Sequence, residues 1–260
     1  MAVDRRPLIA GNWKMNFDHL QAIAFTQKLA WTLRDANHDY ATTEVAIFPP
    51  FTDLRSIQNL IEGDKFDLAY GGQDVSSHDA GAYTGEVSGS FLKALGASYV
   101  LIGHSERRQY HAETDEIVRA KVEASLRHDL IPIICVGETE SDLEQFGPSA
   151  VPVAQLRAAL SGIAEKDIVI AYEPVWAIGT GKAATDEQAE QVCGALRTAL
   201  AEAWGMAPAE STRILYGGSV KATNIAALMR QPNIDGALVG GASLDISEFA
   251  SICRFLKHVV

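Results

Sequence analysis

The chain has 260 residues, of which 47% are hydrophobic and 21% are charged, and its formal net charge is −11. This composition is that of a globular protein with enough apolar residues to build a core. The excess of negative charge argues against nucleic acid and anionic membranes as partners.

Cysteine usage and the first residues both bear on where the protein works. Cys135, Cys193 and Cys253 are odd in number and widely spaced, so they form neither a metal-ligand pattern nor a disulfide framework. The opening residues MAVDRRPLIAG lack the apolar stretch and cleavage site of a signal peptide, and no apolar run approaches the length of a membrane span. We therefore expect a cytoplasmic protein.

Eight short apolar runs recur along the chain, and each has the length and composition of a parallel strand that is buried on both faces. In chain order they are PLIAGN at 7–12, EVAIFP at 44–49, FDLAYGG at 66–72, SYVLIGH at 98–104, IPIICVG at 131–137, DIVIAYE at 167–173, RILYGG at 213–218 and DGALVGG at 235–241.

Amphipathic segments lie between these runs and predict helices. The clearest are residues 20–35, 113–129 and 185–205; the last can begin at Thr185 or Asp186 and ends at Gly205. Eight strand-then-helix units can form either a doubly wound sheet or a closed barrel. The count and the chain length favour one (β/α)8 barrel domain over residues 1–260, with its active site just beyond the carboxyl ends of the strands.

Several polar side chains follow these strand ends. They are Asn12, Lys14, Gln73, Asp74, His104, Glu106 and Glu173. Taken singly, Glu173 could be a solvated carboxylate and Lys14 a surface lysine, although Trp13 and Met15 are expected to surround Lys14 with apolar bulk. Cys135 also ends a run, and we interpret it as a small core residue.

Two glycine pairs follow the last two runs. Gly217 and Gly218 precede Ser219, and Gly240 is followed by Gly241. Either pair could simply form a turn that needs positive φ. Their position after strands seven and eight favours a phosphate site, because backbone N–H groups of such loops converge on anions.

One base candidate, one imidazole, one ammonium and a phosphate cradle suit proton abstraction next to a carbonyl in a phosphorylated substrate. The carboxylate would take a C–H proton, while a neutral imidazole and the ammonium stabilise the developing oxyanion. We expect this chemistry to need no cofactor. No cluster of carboxylates and histidines emerges at the strand ends, so no metal is expected.

Taken together, these motifs resemble those of the triosephosphate isomerase family. The matching stretches are AGNWKMN at 10–16, GQDVSSHDAGAYTGE at 72–86, IGHSERRQY at 102–110, CVGE at 135–138, AYEPVWAIGTGK at 171–182, LYGGSV at 215–220 and ALVGGASL at 237–244. They cover almost the whole chain in order.

The resemblance implies the TIM barrel fold and interconversion of dihydroxyacetone phosphate and glyceraldehyde 3-phosphate through an enediolate. The implied roles are Glu173 as base, His104 as neutral electrophile, Lys14 and Asn12 in substrate binding and charge stabilisation, Glu106 as a supporting carboxylate, and Gly179, Ser219, Gly240 and Gly241 at the phosphate. It also implies a lid over residues 174–182, stiffened by Pro174 and freed by its glycines, although Trp176 could instead only pack on a neighbouring helix.

The family's subunit contact implies a homodimer in which Tyr83 and Thr84 of the loop at 79–86 dock into the partner. Two other readings share these residues, namely an isomerase of a four-carbon sugar phosphate and a non-catalytic barrel that binds phosphorylated metabolites. One departure from the family is HDL at 128–130, which stands where many members have a glycine before the fifth strand.

Overall fold

A computed structural model describes residues 5–178 and 182–258. Gly179, a predicted phosphate contact, and Gly181, half of the predicted second lid hinge, lie outside the described residues. Among the described residues no helix is both long and apolar enough to cross a membrane.

Eight parallel strands pair in sequence order and close into a barrel, with β1 paired to both β2 and β8. The strands are β1 Leu8–Asn12, β2 Glu44–Phe48, β3 Ala69–Gly72, β4 Tyr99–Ile102, β5 Ile131–Val136, β6 Val169–Tyr172, β7 Arg213–Tyr216 and β8 Gly236–Val239. Each falls within one of the eight apolar runs, so the predicted barrel is confirmed and the doubly wound sheet is wrong.

The helices alternate with the strands. They are α1 His19–Asp35, α2 Leu54–Asp64, α3 Gly89–Ala94, α4 Ser105–His111, α5 Asp115–Arg127, α6 Glu140–Phe146, α7 Ala150–Leu160, α8 Asp186–Trp204, α9 Met206–Ser211, α10 Ile225–Leu228 and α11 Ile246–Cys253. Thr185 caps α8 in a capping box with Gln188, and Gly205 ends it with φ +93°, which confirms both predicted limits.

Alternation along the strands builds two apolar layers. In β1, Leu8 and Ala10 belong to a small cluster that fills the barrel, whereas Ile9 belongs to the larger layer between strands and helices. Both faces of each strand are therefore buried, which explains why the runs are continuously apolar. Cys135 lies in the barrel interior with no exposure, as expected of a core residue.

The barrel's N-terminal end is closed by a polar cluster from three strand starts. The Arg213 guanidinium donates to Glu44 Oε2 at 2.7 Å and to the Tyr99 hydroxyl at 2.9 Å, and that hydroxyl donates to Glu44 Oε1 at 2.9 Å. Burial raises the pKa of Tyr99 to about 12, so the phenol stays protonated and able to donate.

The departure at 128–130 has a backbone consequence at Asp129. Its φ of +53° lies in the left-handed region that favours glycine. Its carbonyl accepts a hydrogen bond from Lys93 Nζ at 2.8 Å. Asp129 adjoins the start of β5, at the barrel end opposite the predicted site, so its strain bears on local stability alone.

Candidate active site

The carboxyl ends of the strands surround a cavity of about 680 Å³. The predicted site residues that line it are Asn12, Lys14, His104, Glu106, Glu173, Ser219, Gly240 and Gly241. Because parallel strands end at the same rim, residues up to 229 positions apart in sequence meet here. Of the site residues predicted along the chain, Tyr83 and Thr84 lie elsewhere, on the exposed loop before α3.

Lys14 is held in a strained backbone conformation. Its φ is +54°, which costs a residue with a side chain about 1 kcal/mol or more. Asn12 Oδ1 accepts the Lys14 N–H at 3.0 Å, and Gln73 Nε2 donates to the Lys14 carbonyl at 2.7 Å and to the Phe48 carbonyl at 2.8 Å. These contacts hold the Lys14 backbone in place. Gln73 therefore positions this lysine, a role that its location after a strand did not specify.

The Lys14 ammonium lies 2.5 Å from Glu106 Oε1 and lines the cavity. The prediction that Trp13 and Met15 surround Lys14 with apolar bulk is only half right. Trp13 is fully buried, but Met15 is 94% exposed. Met15 is thus free of the barrel, because the left-handed turn at Lys14 directs the chain outward. The carboxylate of Glu106, rather than apolar bulk, restrains the ammonium.

Glu173 and His104 form a buried pair in the cavity wall. His104 Nε2 lies 2.9 Å from Glu173 Oε1, and the Ser105 N–H donates to Glu173 Oε2 at 2.9 Å. Burial acts to raise the pKa of Glu173, but the imidazole and then the Ser105 N–H outweigh burial, so the pKa of this carboxyl is lowered. Sequence reasoning missed Ser105, because its contribution is a backbone N–H that any residue could supply.

The imidazole of His104 is polarised from both sides. Burial acts to lower its pKa, but the Glu173 carboxylate outweighs burial and raises the pKa above its ordinary value. On the other ring nitrogen, Nδ1 accepts the Glu106 N–H at 3.2 Å. This contact requires an unprotonated Nδ1, so we assign the neutral tautomer with its proton on Nε2, shared with Glu173.

The glycine pairs are not turns of positive φ: Gly217, Gly218, Gly240 and Gly241 all lie outside that region. Close approach explains two of them, because a Cβ on Gly218 would lie 2.2 Å from the Tyr216 hydroxyl and one on Gly217 would lie 3.0 Å from Glu173 Cγ. A Cβ on Gly240 would face Lys14 Cε at 3.5 Å. The missing side chains leave the cavity open next to the base and the ammonium.

Two further residues support Glu173 from the segment after β5. A Cβ on Gly137 would lie 1.8 Å from the Glu173 carbonyl oxygen, so only glycine allows this approach. Glu138 is fully buried, and its Oε1 accepts the Tyr172 hydroxyl and the Trp176 indole N–H, each at 2.8 Å. Burial raises the pKa of Glu138. Glu138 belongs to the stretch CVGE, but nothing in the sequence pattern joins that stretch to residues 172–176.

The segment after Glu173 begins the predicted lid. Pro174 has a φ of −66° and precedes a short 3-10 helix, Val175–Ala177. Ala177 is buried, while Val175 and Trp176 are half-buried and Val175 lines the cavity. The indole of Trp176 is hydrogen-bonded to Glu138. The alternative that this side chain only packs on a neighbouring helix does not account for that bond.

The fold is a (β/α)8 barrel with a candidate site in the cavity at the carboxyl ends of its strands. The family model described as "Triosephosphate isomerase" matches residues 7–256. A triosephosphate isomerase of Leifsonia xyli subsp. xyli is 66% identical over 257 residues, covering 98% of this chain and 99% of the relative, and one of Streptomyces avermitilis is 57% identical over 255 residues, covering 96% and 98%.

A crystal structure of triosephosphate isomerase from Bartonella henselae is 37% identical and superposes with a TM-score of 0.85, covering 97% of this chain and 99% of that one. The chain therefore belongs to the triosephosphate isomerase family and is an isomerase. The family works in glycolysis.

Proposed function

We propose that the chain interconverts dihydroxyacetone phosphate and D-glyceraldehyde 3-phosphate by proton transfer through an enediolate. The observation that carries this proposal is the buried Glu173–His104 contact of 2.9 Å in the wall of a cavity that Lys14 also lines. A carboxylate and an N–H donor that meet at one wall can act on adjacent carbons of one bound substrate.

Glu173 takes the proton from C1 of dihydroxyacetone phosphate. The electron pair of that C–H bond forms the C1–C2 double bond, and the C2 carbonyl oxygen becomes an oxyanion. His104 Nε2–H and the Lys14 ammonium stabilise this oxyanion. A proton then passes from the C1 hydroxyl to the C2 oxyanion, and the electron pair of that O–H bond forms the C1 carbonyl. The π pair of the C1–C2 double bond takes the proton that Glu173 returns to C2, which yields the aldehyde without a net gain or loss of atoms.

His104 acts as a neutral donor when substrate is bound. The Glu173 carboxylate is the main group that raises the pKa of His104 in the free protein, and the Glu106 carboxylate adds a smaller effect. When the substrate oxygen takes the place of Glu173 at Nε2, that cause is removed, while burial and the Glu106 N–H at Nδ1 remain and both favour the neutral ring.

The substrate is bound by Asn12 and Lys14, and its phosphate is held by the loops after β7 and β8, through Ser219, Gly240 and Gly241. The cavity lining supports this placement. Gly179 is proposed as a further contact on the resemblance alone, since it lies outside the described residues. Glu106 acts through Lys14, whose ammonium it holds at 2.5 Å.

Residues 174–182 are proposed to close over the substrate as a lid. Both ends of the segment contact the residues after β5: Trp176 donates to Glu138, and Lys182 Nζ lies 2.5 Å from Glu140 Oε1. Closure would exclude water and keep the enediolate from losing phosphate. Deletion of 177–179 should slow isomerisation and release inorganic phosphate, and an enzyme that does neither has no lid here.

A symmetric homodimer is proposed, with the loop at 79–86 docked into the partner. Tyr83 stacks on His78 at 3.7 Å between ring centroids, and Asp79 pairs with Arg127 at 3.0 Å and His128 at 2.9 Å, so the loop has a fixed shape. Tyr83 is 44% exposed, and exposed aromatic side chains favour interfaces.

Light scattering tests the dimer directly. A mass near the 28.0 kDa of one chain would refute it. A variant that carries Tyr83→Asp and Thr84→Glu should run as a monomer with reduced activity, because the two carboxylates would be buried without partners in the interface.

The experiment that tests the proposed reaction compares kcat/KM for three-carbon and four-carbon phosphorylated ketoses in a coupled assay. Preference for the triose supports the proposal, and preference for the four-carbon ketose phosphate replaces it with the related isomerase. Tight binding of both without turnover would leave a binding protein. The reaction is proposed to take place in the cytoplasm, which agrees with three buried, unpaired cysteines.

A further inference from the structure

Three lysines line the cavity, and two of them are paired. Lys14 Nζ contacts Glu106 and Lys182 Nζ contacts Glu140, each at 2.5 Å. Lys221 lines the same cavity and is exposed to solvent. Within residues 5–178 and 182–258 we find no hydrogen bond or ion pair of the Lys221 ammonium, so its charge is available to a ligand.

The backbone that carries Lys221 is held by hydrogen bonds from its own loop. Asn224 Oδ1 accepts the Lys221 N–H at 2.8 Å, and Asn224 Nδ2 donates to the Ser219 carbonyl at 2.9 Å. The next N–H along, that of Ala222, donates to Glu248 Oε1 at 2.8 Å. One asparagine thus holds Ser219, a proposed phosphate contact, and Lys221 on the same braced loop, two residues apart.

The overall charge makes such a residue useful. The chain has a net charge of −11, so the mean field around it repels a phosphate dianion. At an ionic strength near 0.15 M charges more than about 8 Å apart are largely screened, so the cations at the mouth act on an approaching substrate only at short range. A paired lysine contributes little net charge there, whereas Lys221 contributes its full charge.

We propose that Lys221 is a capture residue, which attracts the substrate's phosphate to the cavity mouth and raises the rate of association without taking part in the chemistry. This proposal rests on the proposed function for its natural ligand, a small phosphate monoester. Charges at the rim of a binding site change association rates and their salt dependence more than they change the bound state.

Lys221→Gln removes this charge, and Lys166→Gln is the matched control. Lys166 is an exposed lysine on the loop before β6, at the opposite end of the barrel, so both variants change the net charge equally. At low ionic strength Lys221→Gln should lower kcat/KM by roughly three- to six-fold with kcat unchanged, as expected for one charge acting on a dianion through water. Lys166→Gln should match the wild type.

Salt and a conservative variant sharpen the test. Raising the ionic strength should bring kcat/KM of Lys221→Gln and the wild type together, and Lys221→Arg should behave as the wild type at every salt concentration. Equal kcat/KM for Lys221→Gln and Lys166→Gln at low salt would overturn the proposal. A fall in kcat itself would also overturn it, because Lys221 would then act in the chemistry or in product release.

Binding of inorganic phosphate, measured by calorimetry at low salt, gives the same comparison without turnover. Lys221→Gln should weaken this binding by a similar factor relative to Lys166→Gln, and equal affinities would contradict the capture role. Because this readout does not need isomerisation, an inactive wild type would refute the proposed function while leaving the test of Lys221 intact.

Discussion

At the N-terminal end of the barrel Arg213 is bonded to Glu44 and Tyr99, while at the C-terminal end Glu173 and His104 pair in the wall of a cavity of about 680 Å³. Both clusters come from strand ends and both are largely buried. At the N-terminal end the polar atoms bond to one another and fill the barrel. At the C-terminal end glycines leave space beside them, so a ligand can exchange with the contacts of the resting state.

Backbone strain follows the same division. Lys14, with a φ of +54°, faces the cavity and is held by Gln73 and Asn12. The strand starts at the other end need no strained residue, because the extended backbone of β2 and β7 already directs Glu44 and Arg213 at each other. A polar cluster whose partners are complete stabilises the fold, whereas one that borders a cavity beside a strained residue leaves its groups open to a ligand, as the proposed reaction requires.

The largest effect should come from Glu173→Gln, which keeps the shape and the Ser105 contact but removes the proton acceptor. We expect kcat to fall at least about 10³-fold, within the range for loss of a general base. Glu44→Gln removes a carboxylate from the other end and should retain wild-type kcat. A Glu173→Gln enzyme that keeps more than about a tenth of wild-type kcat would contradict the role of Glu173 as base.

Lys14→Met should have the next largest effect. The substitution keeps the stem of the side chain and the strained left-handed backbone at this position, but removes the charge. Its effect therefore reports on electrostatics. We expect kcat/KM to fall about 10²-fold or more, with both KM and kcat affected because the ground state and the transition state are anionic. Unchanged affinity for a phosphate-bearing inhibitor at low salt would argue against a role in binding.

His104→Gln should move the pH profile as well as lower the rate. In the wild type His104 is the main group that lowers the pKa of Glu173 against burial. Without the imidazole burial dominates, the pKa of Glu173 rises, and the acid limb of kcat/KM should move to higher pH. An acid limb that stays in place or moves to lower pH would show that His104 does not control the carboxylate.

Arg213→Met should leave the activity unchanged and reduce stability alone. It leaves the Glu44 carboxylate without its closest cationic partner and removes a donor to the Tyr99 hydroxyl. We therefore expect a loss of about 3 kcal/mol in the free energy of unfolding, the low end for breaking a buried pair. Arg6 remains 3.7 Å from Glu44 and limits the loss. Adding Glu44→Gln should recover part of the stability; a fall in kcat would mean that the two ends are coupled.

Much of the fold could be read from the sequence, because buried parallel strands leave continuous apolar runs and the barrel collects their ends at one rim. Sequence reasoning therefore predicted that Glu173, His104 and Lys14 lie at one rim, and all three line the cavity there. Their supports were hidden because each depends on contacts between distant segments: Gln73 reaches Lys14 across 59 positions and Ser105 reaches Glu173 across 68. The outward position of Met15 was missed for a local reason, the left-handed turn at Lys14.

The polar cluster at the N-terminal end could not be predicted at all. Glu44 and Arg213 are 169 positions apart, and each looks like an ordinary charged residue at the start of a strand. Only the closure of the barrel brings them together. For the glycine pairs, the sequence predicted a phosphate site and left a turn of positive φ as the alternative. Only the backbone angles could test that alternative, and none of the four glycines has a positive φ.

The most direct test of the account is the position of deuterium after turnover in deuterium oxide. Dihydroxyacetone phosphate should be converted, and the glyceraldehyde 3-phosphate, oxidised at once by a coupling dehydrogenase and analysed by mass spectrometry, should carry deuterium at C2. This result is expected because a proton held by the Glu173 carboxyl exchanges with solvent before it is returned, and Glu173→Gln should set the background level. Product that carries only protium at C2 would show that no solvent proton enters at that carbon, as in a direct hydride shift, and would contradict exchange through the Glu173 carboxyl; absence of product would contradict the proposed reaction.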